Sequence, residues 1–351
     1  MKILVYSDNH WCQYSSIVRT RSDKYSVRLD NQIKSINWAE DLSNKLNCDM
    51  VVHCGDFFDK ESLNSMEITA LQELRFSDCT HILIVGNHEM GINSLEYSSA
   101  HIFELIDTFN IIDKPVTMEL DDFHQLCFLP YTLGSSSIDI GSVFPTTPKK
   151  RIIFSHNDIA GIQLGKFVTK DGLSIDNIEQ NCDLFINGHI HNGQRITNKI
   201  FNIGNLTGQN FSEDAFTYSH SVFVIDTSTL RISVFDNPYA FNFYKIDFTE
   251  DNSIEHINEI SSKLKNAVVT IKCNEDDYEY LYKRFGKEVD DVVPHHSSII
   301  ESKFIIQHST SLSEEELTDL SVDHLNEFRT YVINEFGSTD IVLQELEELF
   351  K

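Results

Sequence analysis

Seven side chains in the first 191 residues have the types and the spacing to hold metal: Asp8, His10, Asp56, Asn87, His156, His189 and His191. Carboxylate oxygen and neutral imidazole are ligands for Mn, Fe or Zn. Seven groups are too many for one ion and enough for two. A carboxylate can bridge two ions about 3.5–4 Å apart, the separation that two-metal hydrolysis uses. Asp56 is the expected bridge, because it stands alone after Gly55 on an inner strand. His189 and His191 are i and i+2, which face the same side of an extended segment. Taken singly, the others have plainer readings. Asp8 could cap a turn, His156 could be a core histidine, and Asn87 could be a turn residue beside Gly86. Taken together they cannot, because each stands at the end of an apolar run.

Five such runs position them. Lys2–Ser7 leads into Asp8-Asn9-His10, and Met50–Cys54 leads into Gly55-Asp56. Ile82–Val85 leads into Gly86-Asn87-His88-Glu89. Arg151–Ser155 leads into His156, and Asp183–Asn187 into Gly188-His189-Ile190-His191. Runs apolar on both faces read as buried parallel strands. Open α/β sheets place their chemistry at the carboxyl ends of such strands. One parallel sheet would bring all five ends to a common rim.

The rest of the chain supplies layers. Leu29, Ile33, Ile36, Leu42 and Leu46 recur at helical spacing, and Ser62–Arg75 reads as a second helix. Past Pro115 the pattern changes. Val116–Leu120 and Phe123–Leu129 form a hairpin around Asp121-Asp122. Lys199–Ile203, Ser221–Asp226, Leu230–Phe235 and Phe241–Phe248 read as antiparallel strands. Two packed sheets with outer helices account for this, an α/β sandwich. Composition shifts near Thr249. Helices at Ile254–Leu264 and Asp276–Phe285, with strands at Ala267–Cys273 and Ile299–Gln307, make a small α+β unit. The expected division is 1–245 sandwich, 246–307 α+β cap, and 308–351 linker and helical tail. From Ser311 onward the tail has 11 acids against Arg329 and Lys351. Val342, Leu346, Leu349 and Phe350 form an apolar stripe there.

The 351 residues carry a formal charge of −26, which opposes broad electrostatic capture of nucleic acid. Locally, Arg19, Arg21, Lys24 and Arg28 cluster after the Asp8 strand and are candidate DNA contacts. Lys149-Lys150-Arg151 instead opens the His156 strand, about 16 Å away at the opposite edge. The seven cysteines include no CxxC, so reduced core thiols in a cytoplasmic protein are expected. There is no apolar run of about 18 residues and no room for a signal peptide before the first strand. No membrane association is expected.

The set Asp8-x-His10, Gly55-Asp56-x-x-Asp59, Gly86-Asn87-His88-Glu89, His156 and Gly188-His189-x-His191 resembles the calcineurin-like metallophosphoesterase superfamily over residues 1–245. The resemblance implies the two-sheet metallophosphoesterase sandwich and two divalent ions, Mn²⁺ first, with Mg²⁺, Fe²⁺ or Zn²⁺ as alternatives. It implies one ion held by Asp8, His10, Asp56 and His191, and the other by Asp56, Asn87, His156 and His189. His88 matches the superfamily's catalytic histidine beside the scissile phosphate. Glu89 is expected to orient it.

Within the superfamily the chain is most similar to SbcD-type DNA double-strand-break repair nucleases, through Gly55-Asp56-Phe57-Phe58 and the architecture beyond residue 245. That implies exonuclease and endonuclease action on DNA in repair or recombination. It also implies an SbcC-type, SMC-like ATPase partner bound by the tail, and admits a homodimer. A phage-encoded relative, acting in its host's cytoplasm, has similar length. Two departures bear on this. SbcD-type nucleases carry Asp where this chain has Glu89, and the phosphatase branch follows the Asp59 position with Arg-Gly where this chain has Lys60-Glu61. A phosphatase or small-molecule phosphodiesterase is the alternative enzyme, and a non-catalytic metal-bearing scaffold is the alternative outside catalysis.

Overall fold

The computed structural model describes residues 1–14, 24–164, 167–213, 215–287 and 299–307. Two six-stranded sheets pack face to face. The first runs in the order Arg231–Asp236, Ser221–Asp226, Lys2–Tyr6, Met50–His53, Thr80–Ile84, Phe109–Ile112. The second runs Gln194–Arg195, Ile200–Asn202, Leu184–Asn187, Lys150–Ser155, His124–Leu129, Val116–Glu119. The inner faces meet through Ile3, Val5, Val52, Ile82 and Ile84 on one side and Leu126, Phe128, Ile152, Phe154 and Ile186 on the other. Leu4, Val51 and Leu83 point outward beneath Leu29, Ile36 and Ala39 of the helix Val27–Leu46. Cys127, Ile153 and Phe185 do the same on the far side, against Ile140 and Ile178. The central strands are thus apolar on both faces because both faces are covered. The fold class expected from the sequence is the fold observed: a mixed α/β sandwich.

The long helix begins at Ser26, whose side chain accepts from the Leu29 amide at 3.1 Å, and ends at Asn47 in the left-handed region. The second helix is shorter than its apolar stripe suggested. It spans Ser65–Leu71, opened by a capping box between Asn64 and Glu67.

Three strand assignments change. The five ligand-bearing runs lie in two sheets, three in the first and two in the second, and not in one. Ile200–Asn202 is antiparallel to Gln194–Arg195, as expected, but also pairs parallel with Leu184–Asn187 on its other side. Phe241–Phe248 does not join the sandwich. Its strand, Asn242–Asp247, pairs with Ala267–Asn274, which pairs in turn with Ile299–Gln307. Residue 245 therefore falls inside a strand of the small unit. There the strands are parallel, connected by helices Ile254–Lys263 and Glu275–Phe285, which bury Ile257, Leu281 and Phe285 against Val269, Ile271 and Cys273. The tail expected from 308 lies outside the described residues. Among the described residues no helix is long and apolar enough to cross a membrane.

Candidate metal centre

The two sheets converge at the carboxyl ends of their central strands. Past the Lys2–Tyr6 and Met50–His53 strands the chain keeps pairing as it turns. Cys54 N donates to Tyr6 O at 2.9 Å, Asp8 N to Gly55 O at 3.0 Å, and His10 N to Asp56 O at 3.0 Å. Two bonds tie this edge to the other sheet: His156 Nδ1 to Cys54 O at 2.6 Å, and His189 N to Asp8 Oδ2 at 3.1 Å. Gly188 permits the approach, since a Cβ there would lie 2.2 Å from Ser7 Oγ and 2.3 Å from Cys54 O. Asp8, His10, Asp56 and His189 all have positive φ, 53°, 48°, 53° and 71°. L-residues seldom adopt that region, and backbone strain of this kind collects at functional sites.

All seven expected ligands come together. Asp8, His10 and His191 form one group whose ligand atoms lie within 4.8 Å of one another, and Asp56, His156 and His189 form a second. Asn87 Oδ1 lies 3.2 Å from His156 Nε2. Asp56 sits between the groups, with Oδ2 3.1 Å from His156 Nε2 and 3.9 Å from His10 Nε2. His88 also falls within 4.8 Å of His10 and Asp56.

The hydrogen-bond chemistry fits cations. His10 Nδ1 faces Asp59 Oδ1 at 3.2 Å, and His191 Nδ1 faces Glu213 Oε1 at 3.4 Å. Each Nδ1 therefore carries its proton toward a carboxylate. The two Nε2 atoms, 3.1 Å apart, then present lone pairs to each other. His156 repeats the pattern. Its Nδ1–H goes to Cys54 O, so its Nε2 lone pair meets the Asp56 and Asn87 oxygens. Asp8 Oδ1 is buried with no hydrogen-bond partner. Acceptors facing acceptors, with orphaned carboxylate oxygen, are stable only around positive charge.

Titration points the same way. Burial opposes the Asp56 charge, yet His156 beside it holds the carboxyl well below its usual range. Burial disfavours a charged His156, but Asp56 outweighs it and raises that imidazole to about 9. The site thus favours positive charge beside Asp56, which a bound cation would supply.

His88 stands at the mouth, 44% exposed, with its ring 4.5 Å from that of His10. Its Nδ1 lies 3.2 Å from the Asp59 carbonyl oxygen. Glu89 does not play the part expected of it. Its carboxylate is fully buried and accepts from Gly86 N at 2.9 Å and Phe58 N at 3.0 Å. It therefore ties two strand-end loops together, and Asp59 is the residue facing His88. Burial, then the Asp56 charge, pushes Glu89 up to about 8.

Three supporting carboxylates complete the site. Asp59 stands within a motif read from the sequence. Glu213 and Asp158 did not stand out. Asp158 Oδ1 is 3.2 Å from His189 Nε2. Glu213 is buried, held by Asn205 Nδ2 at 2.7 Å and Gln209 N at 3.0 Å. Asp158 had a weak signal in following His156 by two residues; Glu213 had none.

Of the DNA-contact candidates, Arg28 is corrected. Arg28 is only 5% exposed and donates to Gly208 O at 3.2 Å, so it is internal. Lys24 is exposed but ion-paired with Glu73. Arg19 and Arg21 lie outside the described residues. At the opposite edge Lys149 pairs with Glu119 at 2.6 Å, while Arg151 is buried and donates to Asn181 O at 3.0 Å.

A sandwich of this topology, with Asp, Asn and His ligands on its converging strand ends, defines a metal-dependent phosphoester hydrolase. Residues 1–193 match the calcineurin-like phosphoesterase family, and the chain belongs to it. Among solved structures it is similar to YfcE, a phosphoesterase from E. coli, at 13% identity and TM-score 0.31, covering 68% of this chain and 100% of that one. It is also similar to the calcineurin-like phosphoesterase YfkN from Bacillus subtilis, at 11% identity and TM-score 0.36, covering 67% and 88%. No curated protein matches it. The family uses divalent metals, and the cluster of His and Asp side chains suits them.

Proposed function

We propose that this phosphoesterase is a phosphodiesterase acting on DNA, an SbcD-like nuclease subunit that works with an SMC-like ATPase. The observation that carries the diester reading is the engagement of the nearby cations among the described residues. A phosphomonoester dianion needs a cation beyond the metals, and the phosphatase branch supplies it after the Asp59 position. Here Lys60 occupies that place, and its ammonium is 3.0 Å from the buried Glu67 carboxylate. Arg28 is turned inward onto the Gly208 carbonyl oxygen. A diester carries one negative charge and asks for less. Glu89 gives the phosphatase reading no support, since its carboxylate is spent on Gly86 N and Phe58 N.

When bound, two divalent ions activate water and neutralise the non-bridging phosphate oxygens. Asp8, His10, Asp56 and His191 would hold one, and Asp56, Asn87, His156 and His189 the other. Asp59, Glu213 and Cys54 O fix the imidazole tautomers of His10, His191 and His156, leaving Nε2 as the ligand nitrogen. His88 keeps its Nδ1 on the Asp59 carbonyl oxygen at the mouth of the site. Its ring is placed to bond the phosphate or to protonate the departing oxygen.

The test is incubation of the chain with 5′- and 3′-labelled duplex and single-stranded DNA, and with a phosphomonoester, in Mn²⁺ and in Mg²⁺. Metal-dependent DNA cleavage that Asp56→Ala abolishes is expected. Strong monoester turnover with no cleavage of DNA would sink the reading.

A further inference from the structure

The segment after His88 does something the hydrolytic site does not require. Met90–Gly91 and Ser94–Ser98 form a small hairpin whose central residues, Ile92 and Asn93, both have φ of 53°. Positive φ at both positions marks the turn in which Asn and Gly are favoured. Asn93 suits it and Ile92 does not. Of nine non-glycine residues at positive φ among the described residues, Ile92 alone is β-branched. Such a residue pays the largest steric penalty there. Burial offers no compensation, because Ile92 is 86% exposed. Tyr97, on the returning strand, is 63% exposed.

The hairpin is held, not loose. Ser99 N donates to Glu89 O at 3.2 Å, and Ser99 Oγ to Lys60 O at 2.9 Å. Gly91 lets the strands close, since a Cβ there would lie 2.7 Å from Tyr97 O. Its base therefore rests on Glu89 and Lys60, neighbours of His88 and Asp59. Ile92 is the fourth residue after His88, so its Cα lies within about 14 Å of that of His88 at the mouth of the site.

We infer that Ile92 is a wedge for nucleobases, inserting at the terminal base step of DNA held at the metal centre. This rests on the diester reading above and adds how the polymer is recognised. An exposed apolar side chain on a braced, strained turn beside a phosphoester site matches the side chains that enter base steps and unstack them. Strain kept at an exposed position without packing in return is the mark of a residue retained for contact.

The experiment compares wild type with Ile92→Asn and Ile92→Leu. Three quantities are read: melting temperature, hydrolysis of methyl p-nitrophenyl phosphate, and cleavage of duplex DNA with 2-aminopurine at its terminal step. Asn favours the turn, so Ile92→Asn should melt about 2–4 °C higher. It should hydrolyse the small diester at the wild-type rate, since that substrate has no base step. It should lose about tenfold in duplex cleavage, the scale of one stacking contact, and the 2-aminopurine signal on binding. Ile92→Leu keeps apolar bulk and should retain both. Equal duplex cleavage by wild type and Ile92→Asn overturns the inference, as it would if the tip docked a protein. Parallel loss on the small diester also overturns it, because the tip would then support the fold of the site. If wild type hydrolyses the small diester and leaves DNA intact, the diester-polymer reading fails first and takes this inference with it.

Discussion

Adding one methyl group at Gly86 should empty the metal centre. A Cβ built there lies 2.1 Å from Asp56 Oδ1, 2.5 Å from Asp56 N and 2.8 Å from Asp56 Cγ. Ordinary contacts begin near 3.4 Å, so Asp56 must move by about 1 Å. Its backbone cannot swing away, because Asp56 O accepts from His10 N at 3.0 Å and the adjoining strands are paired through His53 and Leu83. The carboxylate must shift, which breaks the bond from His88 N to Asp56 Oδ1, now 2.9 Å, while the contact with the Asp56 amide stays overpacked. Overpacking costs about 1–3 kcal/mol, and a lost hydrogen bond to a charged group about 1.5–3. A chain of this size loses about 2–4 °C per kcal/mol. Gly86→Ala should therefore melt at least 5 °C lower, roughly, in chelator, where metal does not contribute. A 1 Å displacement of the Asp56 carboxylate should also cost at least about 100-fold in hydrolysis. Gly134→Ala is the control. Gly134 has φ of +72° with nothing within 4 Å, so it should lose about 1–2 kcal/mol through strain alone and keep its metal. Metal per chain by mass spectrometry, melting curves and diester hydrolysis read the three quantities. Wild-type metal content and activity in Gly86→Ala would refute the close approach and the role given to Asp56.

His88→Ala should bind metal as wild type does while losing about 10²–10⁴-fold in hydrolysis, because its ring sits at the mouth with Nδ1 on Asp59 O. Asp56→Ala should lose both, and equal metal loss in the two variants would contradict this division. Glu213→Gln keeps the side chain's shape and its bond to Asn205 but removes the charge facing His191 Nδ1. Metal titration should show affinity falling about 10–100-fold, and an unchanged isotherm would remove Glu213 from the site.

How far the chain could be read in advance follows from which interactions are local. The five ligand runs were legible because central strands of a covered sandwich must be apolar on both faces, and each ended in a residue that does not belong in a core. Sheet membership was not legible, since a run such as Ile200–Asn202 is equally apolar whether it pairs parallel or antiparallel. The strand Asn242–Asp247 shows this most sharply. Its alternation suits the small sheet and the sandwich alike, and its pairing with Ala267–Asn274 decides. The supporting shell was the least readable. Glu213 reaches His191 from a loop that the chain enters later, and only the fold brings them to 3.4 Å. Arg28 misled for the complementary reason. A cation near the start of a helix reads as surface, whereas this one is covered, and Gly208 supplies an acceptor 180 residues away.

The supporting shell also bears on how the chain could hold a long polyanion. Asp59, Asp158 and Glu213 orient the ligand histidines, yet each adds negative charge beside the place where phosphate must sit. Lys24 is paired with Glu73, Lys60 with Glu67, and Arg28 faces inward. The formal charge is −26. Duplex affinity falls with salt at a slope near −0.9 for each phosphate neutralised. With so few cations free near the site among the described residues, the isolated chain should show a slope of about −1 to −3. Tight duplex binding needs a longer row of contacts, which the proposed SMC-like ATPase would supply. The stretch Ser311–Lys351 has 11 acids and two bases, so it adds nothing to phosphate binding, but its apolar residues suit a groove on a partner. Deleting it should leave metal content and single-strand cleavage intact, remove ATPase association, and leave the salt slope of the isolated chain unchanged. Adding the ATPase to the full chain should steepen the slope to about −6 or beyond, the value for six to ten phosphate contacts. A slope already that steep for the chain alone would show that it carries its own DNA surface, and the partner would not be needed to explain binding.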